Sequence, residues 1–485
     1  MKKLFLLVCT LITFLAYYPQ SDQVSIEISV ETPVESVEVT CPIDGFILWN
    51  QKQDTLSSEG NGKFKQSYAL SQAGPFRIKI GKLRFRTLFE PGQHYDIKLE
   101  GQQLLFSGKN AAGLTLFSQL KRPGYTFTEN TKFAQDTTAA QITEKIGTLI
   151  QQEKEQFQQL EAQGSITREF RELAFRDIDY YYAKKTLDII LSKETKNEPL
   201  EASLVALMDK TIKENPVQLS GFIPEDWDYF ADSVIIYKKT YELKQAGKIT
   251  SEKLDALYEA GELHNWRLPL INDQLSGQTK EHYLAFYLYD RAVQSRFEKS
   301  LVGIFKSFEQ EFPESSFTPY IKPLIDKIVT YHERIEAPLS DKVKILDGST
   351  ITNFDQLREQ LKGQAYYVDL WATWCSPCKM EFKHNVAIDP VLKNAGYEKL
   401  YISIDKASAR EKWIDNIKYF GLEGTHLLAS KAFVEDFATH HSLQKEMLII
   451  PQYLIVNQEG EVVSRDAPKP SQSDMLGAAL SSPRR

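Results

Sequence analysis

Tyr367-Val-Asp-Leu-Trp-Ala-Thr-Trp-Cys-Ser-Pro-Cys-Lys-Met-Glu-Phe382 decides the fold, because it sets a Cys-x-x-Cys pair where an apolar strand gives way to a helix. Two thiols so placed exchange with another disulfide. The attacking species is a thiolate, and at a helix start unpaired N–H groups and the helix dipole favour negative charge. Cys375 is therefore the expected nucleophile and Cys378, one turn deeper, the resolving thiol. Between them Pro377 stiffens the first turn and Ser376 is a tolerant position; such intervening residues tune redox potential. Trp371 and Trp374 flank the motif, and Trp374 offers an apolar surface for a docking partner, whereas Trp371 also reads as core. Asp369 lies six residues before Cys375 on the strand. Burial without a cation raises a carboxyl pKa. A structural Asp satisfied by backbone groups is the alternative.

Outward from this stretch, helix and strand signals alternate. Val343 to Leu346 reads as a strand, Thr352-x-x-Asp355 as a capping box opening a helix to Leu361, and Ala365 to Leu370 as the next strand. A helix from Cys378 to about Asn394, strand Leu400 to Ile404, helices Ala409 to Tyr419 and Lys431 to His440, and strand Tyr453 to Val456 complete an α/β layer.

Val368-Asp-Leu-Trp-Ala-Thr-Trp-Cys-Ser-Pro-Cys378, with Ile450-Pro451, the strand Gln452 to Val456, the turn Gln458-Glu-Gly460 and Ala467-Pro-Lys-Pro-Ser471, resembles the thioredoxin superfamily and within it the TlpA-like disulfide reductases of bacterial envelopes. The resemblance spans the final third of the chain and implies a thioredoxin-like fold, with the helix near 408–420 as the insertion of that branch. It implies a redox-active disulfide Cys375–Cys378 and no further cofactor. Asp369 takes the place of the acid that exchanges a proton with the resolving cysteine, although Tyr401 stands where that acid's lysine partner aligns. Pro451 matches the family's cis-proline; the cis form costs only ~0.5–1 kcal/mol before proline against ~2.5–4 elsewhere. Ile450 before it would offer backbone N–H and C=O to an extended substrate. Catalytic positions are thus Cys375, Cys378, Asp369 and Pro451, and substrate-facing ones Trp374, Ser376, Pro377 and Ile450.

The 485 residues suggest about three domains. Residues 24–110 alternate in short segments such as Val24 to Val30, Phe46 to Trp49 and Phe76 to Ile80, broken by turn residues, and read as a β-sandwich; Leu88 to Asn110 resembles β domains that precede TlpA-like modules. Residues 111–335 change to helical period, in Ile142 to Leu160, Ile166 to Leu191, Leu204 to Ile212 and Tyr283 to Phe308, and read as an all-α domain of about seven or eight helices. Residues 338–485 form the thioredoxin-like domain. Tyr180-Tyr-Tyr182 and Trp227-Asp-Tyr-Phe230 invite a ligand groove, but core packing explains them more simply. His264, His282 and His332 stand singly and take no role.

Residues 1–20 read as an export signal, with Lys2 and Lys3 before the uncharged run Leu4 to Tyr18. As a helix that run reaches only ~22 Å against a bilayer core of ~30 Å, which favours cleavage over a retained anchor. Export implies the periplasm or cell envelope. Cys9 leaves with the signal. Cys41 remains, either in a mixed disulfide or as a small buried residue, and the latter is favoured. Zinc on Cys375 and Cys378 lacks further ligands, and His384 reads as a solvated helix position. With 25% charged residues and a net charge of −7, the chain has no electrostatic footprint for nucleic acid.

The expected activity is that of an exported thiol:disulfide oxidoreductase reducing disulfide-containing envelope proteins, with a membrane thiol donor recharging it. A disulfide isomerase shares these residues. Peroxide reduction by relatives needs a Pro-x-x-x-Thr-x-x-Cys loop, and here Val368 and Ala372 occupy those positions. The alternative from another class is an envelope scaffold with an accessory thioredoxin module.

Overall fold

A computed structural model describes residues 22–32, 34–46, 53–58, 60–122, 132–194, 199–443 and 448–481. The export segment 1–20 with Cys9, and 47–49 of the Phe46 strand, lie outside these residues. The chain divides into two compact units, one built from the residues up to 287 with 307–320, the other from 288–306 and 321 onward.

In the first unit, period-2 alternation yields eight strands: β1 (Gln23–Val30), β2 (Val37–Thr40), β3 (Gln53–Leu56), β4 (Lys63–Ala69), β5 (Gly74–Ile80), β6 (Leu83–Phe89), β7 (His94–Glu100) and β8 (Gln103–Ser107). They make two four-stranded sheets, ordered β4-β1-β7-β8 and β3-β2-β5-β6. Phe76 and Phe89 of the second sheet meet Tyr68 and Tyr95 of the first at ring separations of 5.5 and 4.9 Å, so the sheets share an aromatic core. Cys41 is buried just after β2, outside any disulfide.

The helical stretch supplies α1 (Ala111–Gln119), α2 (Ala139–Ala162), α3 (Arg168–Leu191), α4 (Ala202–Glu214), α5 (Trp227–Asp232), a π-helical turn (Ser233–Lys238), α6 (Lys239–Gln245), α7 (Ser251–Glu259), α8 (Leu263–Asn272), α9 (Gly277–Val293), α10 (Ser300–Glu311) and α11 (Thr318–Arg334). Among the described residues these exceed the expected number. Glycines in the left-handed region, Gly247 and Gly261, close short helices, and Ser295 and Phe297 at φ of 53° and 57° split the apolar run Tyr283 to Phe308 in two. The aromatic clusters are structural: Tyr180 Oη donates to Pro216 O at 2.7 Å, and Trp227 Nε1 donates to Val217 O at 3.0 Å. His282 is buried against the Phe46 ring, 5.5 Å away, and burial pushes its pKa down to about 4.

The second unit carries β9 (Val343–Ile345), α12 (Phe354–Gln360), β10 (Ala365–Trp371), α13 (Ser376–Phe382), α14 (Asn385–Ala395), β11 (Tyr397–Ser403), α15 (Arg410–Phe420), β12 (Gly424–Leu428), α16 (Lys431–His440), β13 (Gln452–Val456), β14 (Val462–Ser464) and α17 (Ser473–Ser481). Its six strands are ordered β14-β13-β10-β11-β12-β9, with β10 parallel to β11 and antiparallel to β13. Every residue of β10 is buried, the mark of a central strand covered on both faces. Phe354, Leu357 and Phe433 cover one face, and Ile388, Leu392 and Leu476 pack with Tyr367 and Tyr453 on the other. This is a thioredoxin-like α/β domain.

Two local expectations are corrected. The single helix from Cys378 to Asn394 is two, α13 and α14, and the break lets Phe382 pack on Trp371 while Asn385 turns inward to donate to Tyr401 Oη at 2.9 Å. The cap of α12 is Asn353, whose side chain accepts from Gln356 N at 2.8 Å, while Thr352 donates to the Gln356 side chain; the pairing lies one residue later than the Thr352/Asp355 box.

In the same unit, Phe297 stacks on Tyr331 of α11 at 4.3 Å and meets Tyr419 of α15 at 4.8 Å. His332 lies on this seam, its Nε2 2.9 Å from Phe297 O. The helical segment 288–306 is thereby fastened beside the helices that follow the cysteine strand.

Candidate active site

At the carboxyl end of β10 the chain turns through Ala372-Thr-Trp374 into α13. Cys375 is the N-cap of α13, its Sγ accepting from Cys378 N at 3.2 Å. Cys375 and Cys378 are bridged as a disulfide. Cys375 is 4% exposed and Cys378 fully buried, so attack from outside reaches only the first sulfur.

The pair sits in an apolar cluster with Trp371, Ala372, Phe382, Tyr401 and Trp413, and Ile450 packs against it. The Ile450–Pro451 peptide is cis. Outside, Trp374 and Met380 are 53% and 59% exposed, Pro377 is exposed and Ser376 half-buried. Trp371 is fully buried core. An almost buried sulfur is thus rimmed by exposed apolar side chains.

Asp369 is 2% exposed, and neither carboxylate oxygen has a hydrogen-bond partner among the described residues. Tyr401 and Tyr453 stand opposite it on β11 and β13. Burial, reinforced by the Glu381 carboxylate and only partly offset by Lys399, holds its pKa well above the ordinary value. Lys399, two residues before Tyr401, thus supplies a positive influence on Asp369. A buried carboxyl whose pKa is raised in this way is suited to exchanging a proton with a neighbouring group.

Three polar residues escaped the sequence reading. Asp405 accepts from Thr373 N and Thr373 Oγ1, both at 2.8 Å, and from Ser403 Oγ at 2.7 Å, so it fixes the loop leading into Cys375. Lys379 donates to Thr373 O at 2.7 Å and to Ser295 O at 2.6 Å. Burial, with Lys412 and Arg296 adding repulsion, pushes its pKa down to about 7. Glu381 accepts from Ser471 N at 2.9 Å and Ser471 Oγ at 3.2 Å, tying α13 to the segment ahead of α17. The Ser-x-Asp at 403–405, following a strand, was the legible signal for Asp405. Lys379 carried no local signal, since the second acceptor that holds it, Ser295 O, belongs to a distant stretch of the chain. His384 is half-buried at the N-cap of α14, and among the described residues no three His, Cys, Asp or Glu side chains gather as for a metal.

Residues 342–465 match the AhpC/TSA family. Solved structures with a similar part include the thioredoxin domain of a thiol-disulfide oxidoreductase from Bacteroides vulgatus, 20% identical over 25% of this chain and 80% of that one, TM-score 0.21. A thioredoxin-family thiol:disulfide interchange protein from Chlorobium tepidum is 22% identical over 25% and 83% of the two chains, TM-score 0.21. StoA from Bacillus subtilis is 20% identical over 24% and 83%, TM-score 0.20. No curated protein matches the chain. The fold, the bridged pair at a helix cap and the family match make the C-terminal domain a thioredoxin-like thiol:disulfide oxidoreductase module.

Proposed function

We propose that the chain is an exported thiol:disulfide oxidoreductase of the TlpA-like kind, which reduces disulfides of envelope proteins and is recharged by a membrane thiol donor. The observation that carries this reading is the Cys375–Cys378 bridge with only its first sulfur reachable, beneath the rim of Trp374, Pro377 and Met380. In the reduced enzyme the Cys375 thiolate attacks a client disulfide and expels one client thiolate, giving a mixed disulfide. Cys378 then loses its proton and attacks Cys375 Sγ, releasing the second client thiolate and restoring the bridge. Asp369 takes up the Cys378 proton, Ile450 pairs with the client backbone, and Pro451 holds that loop against the sulfurs. The β-rich region is read as a β-sandwich and the helices as a separate middle domain, both serving client choice. Val368 and Ala372 stand where a peroxidatic loop needs proline and threonine, which supports exchange over peroxide reduction.

The test is the equilibrium potential of the pair in glutathione or dithiothreitol buffers, with free thiols trapped. A value near or below about −220 mV fits a reductase, and one near −120 mV makes the protein an oxidant and overturns the direction of flow. A scaffold reading predicts that client binding is unchanged, and no client disulfide is reduced, when both cysteines are present.

A further inference from the structure

The first unit holds a second feature, unrelated to the cysteines: an open cleft of about 1430 Å³ between the β3-β2-β5-β6 sheet and helices α1 to α3. Among the described residues its lining carries eight lysines and arginines against two glutamates, in a chain whose net charge is −7. The concentration has a register. Arg77 of β5 stands directly opposite Arg86 of β6, and Lys79 opposite Arg84. Like charges paired across strands destabilise a sheet unless something compensates them.

One pair is neutralised inside the protein. Arg77 and Arg86 share Glu225, and Arg86 also reaches Asp177 at 3.0 Å. Although burial pushes the Glu225 carboxyl up, the two guanidiniums hold it down to about 2. The outer pair is compensated only in part. Lys79 meets Glu38 at 2.7 Å, while Arg84 is exposed with no acidic partner among the described residues. Across the cleft Lys121 is likewise exposed without one.

The aromatic floor narrows the ligand. The Arg122 guanidinium lies 4.1 Å from the Tyr181 ring centre, and Tyr182 Oη donates to Glu153 at 2.8 Å. Both rings are buried, so neither presents the open face on which a sugar or base would stack. The remaining polar lining is rich in glutamine, including Gln53, Gln103, Gln119 and Gln156. Primary amides donate and accept, as the peptide groups of an extended chain require. The volume exceeds the roughly 300–1,000 Å³ of a small-molecule pocket.

We propose that this cleft binds an extended, acidic polypeptide segment, with carboxylates meeting Arg84 and Lys121 at its mouth and the glutamines pairing with its backbone. The binding stands apart from the dithiol and needs no redox step.

The experiment is fluorescence anisotropy of labelled hexaglutamate with the full chain, at about 10 mM and then 150 mM salt, where the screening length falls from about 30 to 8 Å. Saturable binding that weakens with salt is expected. It should fall at least about tenfold, equivalent to about 1.4 kcal/mol, in Arg84→Glu/Lys121→Glu. The neutral pair Arg84→Gln/Lys121→Gln should lie between, with melting temperatures unchanged because both positions are exposed. Cys375→Ser/Cys378→Ser should bind as wild type, which separates failure here from failure of the redox reading. Absence of low-salt binding, indifference to the charge reversal, or equally tight binding of an oligogalacturonate of the same charge overturns the proposal.

Discussion

The two units handle buried charge in opposite ways. In the first, Arg86 is surrounded by Glu225, Asp177 and Asp226, and the Glu225 carboxyl is held down to about 2 because the Arg86 and Arg77 guanidiniums replace the water it lost. In the second, Asp369 is buried beside the disulfide with no hydrogen-bond partner among the described residues, and its neighbour Glu381 makes ionisation harder still. Pairing holds a structure together, whereas an uncompensated carboxyl costs stability and is retained where its proton is useful.

The largest effect tests the dithiol. Cys375→Ala should abolish disulfide reduction, a loss on the order of a thousandfold or more, while Cys378→Ala should accumulate a trapped mixed disulfide visible on non-reducing gels. Trapping by Cys375→Ala instead would reverse the roles of the two sulfurs. Next, Arg86→Met leaves Glu225 with Arg77 alone and takes from Asp177 its ion-pair partner, and urea unfolding should show a loss of about 3–5 kcal/mol. A loss within error would mean the network is not load sharing.

Asp369→Asn should do the reverse for stability. The folded carboxyl keeps its proton where the unfolded one has lost it, so the wild type loses stability as pH rises from about 4 through the raised folded value. The variant removes that slope and should melt higher at pH 7, while turnover falls about a hundredfold if the acid serves Cys378. Unchanged turnover with higher stability would leave Asp369 a structural remnant. Lys379 gives a smaller, opposite slope: its folded pKa of about 7 lies below the unfolded value near 10.4, so stability should rise with pH across that window, and Lys379→Met should flatten it. A melting profile across pH 6–10 with no change in slope would remove Lys379 from the account.

The sequence read the C-terminal fold well because its signals are local. Continuous apolar runs bounded by turns mark β10, β11 and β13, and a Cys-x-x-Cys with proline inside it marks a helix start whatever surrounds it. Lys431–His440 and Arg168–Leu191 end within two residues of their expected limits for the same reason. The helical stretch was read less well, since breaks at Ser295, Phe297 and the π-helical turn depend on backbone states that non-glycine residues adopt only when packing demands it.

By itself the sequence determined that two thiols lie one helical turn apart at the end of a buried strand, that a proline follows near Ile450, and that charge is scattered rather than blocked. Only tertiary structure decided that Asp369 has no hydrogen-bond partner among the described residues, that Asp405 and Lys379 fix the loop before Cys375, and that four cations of β5 and β6 fall opposite one another beneath a cleft. Spacing along the chain fixes which atoms are available locally, whereas burial and pairing depend on partners dozens to hundreds of residues away, and these set the energy of a charge.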